Sequence, residues 1–321
     1  MATVTSQFDR NSTAQQVVAD IRLEGRTAIV TGGTSGIGIE TARALASAGA
    51  SVTIAARDPA KAQAVADELN ARIAGERVAW DVLDLADFAS VRGFAERWGK
   101  RPLSLLINNA GVMACPPSTT ADGFEAQLGT NHLGHFLLTK LLTPALEKGA
   151  PSRVISLSSS GHMMSPIVFD DPHFRTRDYH PFKAYGQSKT ANALFAVEYD
   201  RRHKDRGIRA FSVMPGMIVT NLGRHMTVEA REAVGYNGNP PPEFAHVSKS
   251  IEQGAATSVW AATAAELDGK GGLYLENCAE APPHSRDVPR GSGVMPHALD
   301  PETARKLWDL SERWIQDPQS A

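Results

Sequence analysis

Cysteine is nearly missing from this chain: 321 residues contain two, Cys115 and Cys278. A disulfide framework is thereby excluded, and a reducing compartment fits. Neither sign of charge is in excess, with 33 Lys plus Arg against 35 Asp plus Glu. That balance gives no electrostatic footprint for nucleic acid, and no nucleic-acid partner is expected. Long apolar runs are absent as well. The most apolar helix-like stretch, 136–146, is interrupted by Lys140 and Pro144 and falls far short of the ~20 apolar residues that span a bilayer. Residues 1–20 lack the apolar core of a signal peptide. The expectation is a soluble, cytoplasmic protein with no integral membrane span. What is present is an ordinary globular composition, 42% hydrophobic and 21% charged, which rules out a disordered chain, a collagen-like repeat and a coiled-coil rod.

Along the chain, short apolar runs alternate with helical patterns. Residues 1–24 are polar and read as an N-terminal arm, with one short helix over 15–23. Strands are expected at 27–30, 51–55, 77–80, 104–107, 153–157, 209–214 and 272–275. Between them fall helices at 37–48, 59–73, 88–98, 124–147, 184–202 and 253–262, and a last amphipathic helix covers 301–315 after a polar tail. Alternation of this kind predicts a Rossmann-type, doubly wound parallel sheet in a three-layer α/β/α sandwich. No linker divides 25–321, so a single domain is expected there. Two stretches, 161–182 and 223–249, read as loops or insertions. Ligands on such sheets bind at the carboxyl ends of the strands, so chemistry is sought in the loops that follow them.

The first of those loops is Thr31-Gly32-Gly33-Thr34-Ser35-Gly36-Ile37-Gly38. Glycines there allow positive φ and close backbone approach, and the helix that follows points free N–H groups at a pyrophosphate. After the second strand comes Ala55-Ala56-Arg57-Asp58. A carboxylate at the place of Ala56 would bond the ribose 2′-OH of NAD. Arg57 instead offers a fork of donors for a 2′-phosphate. Its competing reading is a solvated surface arginine. Asp58 reads as the N-cap of the helix opened by Pro59.

Tyr185 and Lys189 stand four apart on an expected helix, hence on one face. An ammonium beside a phenol favours the phenolate and brings it toward neutral-pH proton transfer. Three other motifs fall at the same rim: Leu157-Ser158-Ser159-Ser160, Asn108-Asn109-Ala110-Gly111, and Asn131 in Gly129-Thr130-Asn131-His132.

These motifs, in this order and with Pro215-Gly216, resemble the short-chain dehydrogenase/reductase family over about 26–275. Leu83-Asp84-Leu85, Asn131-His132-Leu133-Gly134-His135-Phe136, Ser188-Lys189-Thr190-Ala191-Asn192 and the 26 positions between Ser159 and Tyr185 resemble its retinol-dehydrogenase-like branch. The resemblance implies the following roles. Tyr185 exchanges a proton with the substrate oxygen, and Lys189 tunes it and bonds the nicotinamide ribose. Ser159, with Ser158 as runner-up, donates to the carbonyl oxygen. Asn131 holds a water that links Lys189 to solvent. Gly32, Thr34, Ser35, Gly36, Ile37 and Gly38 cradle the cofactor phosphates, and Arg57 selects NADP(H) over NAD(H). Asp84 and Leu85, with Asp81 a weaker candidate, border the adenine. Asn109, Ala110 and Gly111 line the cofactor, while Pro215, Gly216, Ile218 and Thr220 contact its nicotinamide end.

Other eye-catching residues are read plainly. His132 and His135 are packing or capping groups, and no metal site is expected. Cys115 is a small residue near the cleft, Trp308 and Trp314 pack against the body, and Asp170 and Asp171 are solvated loop charges. The resulting expectation is an NADP(H)-dependent oxidoreductase that interconverts a small apolar alcohol and its aldehyde or ketone. The alternatives are a C=C or quinone reductase and a non-catalytic NADP(H)-sensing protein. The segment 223–249 is expected to act as a lid, and a homo-oligomer is compatible with the sequence.

Overall fold

The computed structural model describes residues 3–73, 75–233, 236 and 240–318. Its centre is one eight-stranded sheet ordered β3-β2-β1-β4-β5-β6-β7-β8. The strands are β1 (Thr27–Thr31), β2 (Ser51–Ala56), β3 (Val78–Val82), β4 (Leu105–Asn108), β5 (Ser152–Leu157), β6 (Ile208–Met214), β7 (Leu273–Glu276) and β8 (Ala279–Glu280). All pairings are parallel except β7 with β8. The two-residue β8 was not expected, because so short a strand leaves no periodic trace.

Helices cover both faces: α1 (Ala14–Val17), α2 (Ile37–Ser47), α3 (Pro59–Arg72), α4 (Phe88–Trp98), α5 (Ala126–Leu128), α6 (Gly134–Lys148), α7 (Pro181–His203), α8 (Val228–Ala233), α9 (Ile251–Thr263) and α10 (Pro301–Gln316). The strands serve two cores by simple alternation. In β1, Ala28 and Val30 join a core with α2, α3 and α9 residues, while Ile29 faces a second core with α4, α6, α7 and α10 residues. Such strands, buried on both faces, read as continuous apolar runs. Asp58 caps α3, accepting from the Lys61 N–H at 3.1 Å, with Pro59 in the first turn, as expected. Trp308 and Trp314 are buried in the second core.

Three local expectations needed correction. The helix foreseen over 15–23 stops at Val17, because Ala19 and Ile21 bond the carbonyls three residues back and tighten the chain into turns. The single helix foreseen over 124–147 is three pieces, with a π-turn, Gly129–Leu133, between α5 and α6. Asp171 is not a solvated charge. It is buried, and it accepts from the N–H groups of Arg175, Thr176 and Arg177, which close a turn around it. Its carboxyl is pulled down to about 2 as those bonds outweigh the cost of burial. Asp170 is exposed, as expected.

The segment before β1 lies against the body. The Val4 N–H bonds Glu280 Oε2 at 3.0 Å, and Arg10 reaches the carbonyls of His246 (2.8 Å), Ser248 (3.3 Å) and Ala245 (3.4 Å). Among the described residues no helix is long and apolar enough to cross a membrane.

Candidate active site

The chain winds from β1 out to β3, then returns to β4 on the other side of β1. At that reversal the loops after β1 and β4 separate, and a crevice opens at the carboxyl ends of the strands. A cleft of about 680 Å³ lies there. Its walls include Gly32, Thr34, Ser35, Gly36, Ile37, Arg57, Asp84, Leu85, Asn109, Ala110, Gly111, Ser159, Tyr185, Lys189, Pro215, Gly216, Ile218 and Thr220. Three expected residues stand apart from that surface. Gly38 lies behind it, where a Cβ would come within 2.5 Å of the Gly32 carbonyl oxygen. Asn131 is fully buried beneath the wall. Asp81 turns away to pair with Arg97 at 3.0 Å.

The turn after β1 is shaped to admit a ligand. Gly32 has φ +67°, and a Cβ on it would meet Ala110 Cα at 2.9 Å. No side chain caps the α2 N-terminus at Gly36, so its first N–H groups stay open to an anion. The Thr31 hydroxyl ties this turn to the loop after β4. It accepts from the N–H groups of Asn109 (2.9 Å) and Ala110 (3.0 Å) and meets His135 Nε2 at 2.9 Å. His135 Nδ1 lies 2.9 Å from the Asn131 carbonyl, so Nδ1 carries the proton and Nε2 accepts from Thr31. Burial holds the His135 imidazole neutral, down to about 4. His132 likewise meets Ser311 Oγ at 2.9 Å. Both histidines are therefore internal hydrogen-bonding groups.

Asn131 is held at both ends. Its Oδ1 accepts from the Val112 N–H at 2.8 Å, and its Nδ2 donates to Val112 O (3.0 Å) and Ser188 Oγ (2.9 Å). The π-turn aims it there. Ser188 in turn donates to the Tyr185 carbonyl at 2.7 Å. Asn131 is thus joined to the helix that carries Tyr185 and Lys189.

Tyr185 is buried, with its ring against Gly161, where a Cβ would come within 2.7 Å. Lys189 is buried too, and its ammonium donates to the Leu157 carbonyl at 3.0 Å. Burial pushes Lys189 down to about 8. Burial also pushes Tyr185 up, against a hydrogen bond with Ser159 that pulls it down. The expected lowering of Tyr185 by Lys189 is not what this geometry gives, because desolvation opposes both charges. Of the competing serines, Ser159 accepts from the Gly161 N–H at 3.0 Å and lies beside Tyr185 on the cleft wall. Ser158 spends its hydroxyl on the Lys189 carbonyl at 2.8 Å.

The other end of the cleft is apolar. Met113, Met217, Met226, Leu222, Phe182 and Tyr236 cluster around Tyr185. Tyr236 Oη lies 3.1 Å from Thr220 Oγ1, which itself sits against Gly36.

A profile of the family described as short chain dehydrogenase matches residues 26–230. A "Probable oxidoreductase" of Streptomyces lividans is 47% identical over 293 residues, covering 89% of this chain and 96% of the relative. The chain belongs to the short-chain dehydrogenase family. Within this family of oxidoreductases, it is retinol-dehydrogenase-like. "Retinol dehydrogenase 12" of Mus musculus is 40% identical over 294 residues, covering 91% of this short-chain dehydrogenase and 87% of the relative. Among solved structures, an uncharacterised protein from Mycobacterium paratuberculosis superposes with TM-score 0.71 at 35% identity, over 93% of this chain and 97% of that one. A short chain dehydrogenase from Burkholderia cenocepacia in complex with NADP gives TM-score 0.62 at 26% identity, over 80% and 97%.

Sequence reasoning missed several walls of this short-chain dehydrogenase's cleft. Met163 and Met164 come from the short turn after β5, and Arg290 and Gly291 from the polar tail. No local pattern marks them, since the tail reaches the cleft only through the tertiary fold. Of the foreseen lid, Met226, Tyr236 and Phe244 line the cleft and Val228 is exposed on α8. Val234, Gly235 and Gly238 lie outside the described residues. Cys115 is buried, not exposed to oxidation.

Proposed function

We propose that this chain is an NADP(H)-dependent alcohol dehydrogenase or carbonyl reductase acting on an apolar substrate. One observation carries the reading: Ser159, Tyr185 and Lys189 meet on the wall of a cleft with a phosphate-sized turn at one end and an apolar cluster at the other. Gly32, Thr34, Ser35, Gly36 and Ile37 would hold the pyrophosphate, and Gly38 keeps that turn tight. Asn109, Ala110 and Gly111 would line the cofactor, Asp84 and Leu85 would border its adenine, and Pro215, Gly216, Ile218 and Thr220 its nicotinamide. Arg57, exposed at the end of β2 with Ala56 before it, favours a 2′-phosphate over a bare 2′-OH. The NADP complex of the Burkholderia relative is in keeping with that choice. When bound, NADP(H) supplies or takes up the hydride.

The protein's own groups handle the proton and the carbonyl. Ser159 donates to the substrate oxygen and polarises it. Tyr185, kept protonated by burial, gives its proton to that oxygen during reduction. Lys189 stabilises the phenolate left behind, and Asn131 positions the helix that carries both and the water that restores the proton. The apolar cluster excludes bulk water from this exchange. Cys115 and Cys278, buried and unpaired, suit a cytoplasmic location. The test is NADPH oxidation followed at 25 °C across aldehydes, ketones and quinones. Turnover of apolar aldehydes or ketones with NADPH is expected. No turnover of any of them, or turnover confined to quinones, overturns the reading.

A further inference from the structure

His162 is fully buried one short turn beyond β5, and no step above employs it. Its surroundings fix its state. Nε2 receives the Met295 N–H at 3.1 Å, so it carries no proton. Nδ1 therefore carries the hydrogen, and it lies 2.7 Å from the carbonyl oxygen of Ser159. Tyr274 Oη stands 3.2 Å from the same Nδ1. The His162 carbonyl accepts from Thr190 Oγ1 and from His297 Nε2, each at 3.1 Å. The imidazole thus joins the end of β5, strand β7 and the segment that precedes α10, while the main-chain carbonyl of the same residue reaches helix α7.

We propose that His162 is a positioning residue: through its Nδ1–H bond to the Ser159 carbonyl, it transmits the seating of the C-terminal segment at Met295 to the hydroxyl that polarises the substrate. The inference rests on the reading of Ser159 given above. The hydroxyl of Ser159 has only its χ1 rotation left once the carbonyl is fixed. Without the imidazole the carbonyl keeps only the His162 main-chain N–H, at 3.0 Å, and the backbone is freer to move the donor relative to Tyr185. A donor off target by an ångström loses much of its worth in the transition state. His162 cannot serve as a proton wire, because its Nε2 ends on a main-chain N–H that does not titrate.

Two isosteric replacements separate positioning from mere packing. Asparagine at 162 keeps a donor near Nδ1, whereas glutamine keeps an acceptor near Nε2 and loses that donor. In His162→Gln, kcat should fall roughly tenfold, the scale of one lost hydrogen bond. KM and the NADPH dissociation constant, read by fluorescence quenching, should stay within about twofold, since an interaction felt mainly in the transition state lowers kcat. His162→Asn, which keeps the bond to Ser159 and loses only the Met295 anchor, should lose clearly less, about threefold. Equal kcat losses in the two variants, or an unchanged kcat per folded molecule in His162→Gln, overturn the proposal. Should either variant fold poorly, Met295→Pro replaces it. Met295 already has φ −71°, so proline fits the backbone there while removing, with the methionine side chain, the N–H that anchors Nε2. A kcat loss in Met295→Pro at unchanged NADPH affinity supports the proposal, and wild-type kcat overturns it. Failure of the functional reading itself would show differently, as absent turnover in the unmodified protein.

Discussion

The ammonium of Lys189 is bonded to the Leu157 carbonyl at 3.0 Å and stands 5.6 Å from the centre of the Tyr185 ring. The same carbonyl accepts from Asn192 Nδ2 at 2.9 Å. Lys189 costs stability where it stands: burial lowers it from 10.5 to about 8. A lysine depressed on folding disfavours the folded state wherever the unfolded chain still binds the proton. That penalty is full below pH ~8 and is relieved as pH rises toward ~10.5, the unfolded value.

Lys189→Met should therefore be more stable than the unmodified protein at pH 7, by an amount on the order of 3 kcal/mol, and should melt at a higher temperature. Asn192 still satisfies the Leu157 carbonyl in that variant. The gain should shrink as the melts are repeated from pH 8 to pH 10, and turnover should be lost at every pH. A variant no more stable than the parent at pH 7 would contradict the account of a penalised lysine.

Tyr185→Phe keeps the ring against Gly161 and removes the titrating oxygen. Turnover should drop by at least ~10²-fold, the lower range for general acid–base catalysis, while NADPH binding largely survives. Steady-state kinetics with a reactive aldehyde, paired with a cofactor titration, checks both halves. Near-normal turnover would remove Tyr185 from its role.

Arg57→Ala should weaken NADPH by roughly 10–150-fold, the scale of one charge-assisted bond to a phosphate. NADH affinity should hardly change. Isothermal titration with both cofactors is decisive, and equal affinities in the unmodified protein would sink the preference.

Across a series of straight-chain aldehydes, kcat/KM should climb about three- to fourfold per methylene until the apolar end is filled. Replacing 228–241 with a short Gly-Ser connection should flatten that climb by removing α8 and Tyr236. A flat series in the intact protein would mean that the segment closes over no apolar substrate.

Much of the sheet was legible because strands buried on both faces leave continuous apolar runs, as in Ala28-Ile29-Val30 of β1 and Leu105-Leu106-Ile107 of β4. The end of the cleft beside the glycine turn was legible for a related reason. Its residues sit in short loops directly after strands, so order in sequence becomes order along one rim. The cleft's apolar end was legible in part, since Met226, Tyr236 and Phe244 of the foreseen segment 223–249 line it. Met164, Arg290 and Gly291 reach the cleft from a turn and a tail, and nothing local in those segments codes for that approach. Asp171 was misread because three backbone donors that bury a carboxylate have no signature in side-chain composition. The depression of Lys189 and the rise of Tyr185 were also hidden, since spacing shows proximity but not desolvation.

The π-turn at Gly129–Leu133 acts as a phase shift. An α-helix advances about 100° per residue, so one surplus residue lets two apolar stripes, each in register with its own neighbours, share one continuous rod. Leu128 and Phe136, on opposite sides of the shift, both reach the second core. Deleting a single residue there would let ordinary i→i+4 bonds close, yet would rotate everything upstream by about 100° relative to α6. Either the Leu128 side would leave the core or Asn131 would leave Val112 and Ser188. The length of this segment is therefore constrained more tightly than its composition.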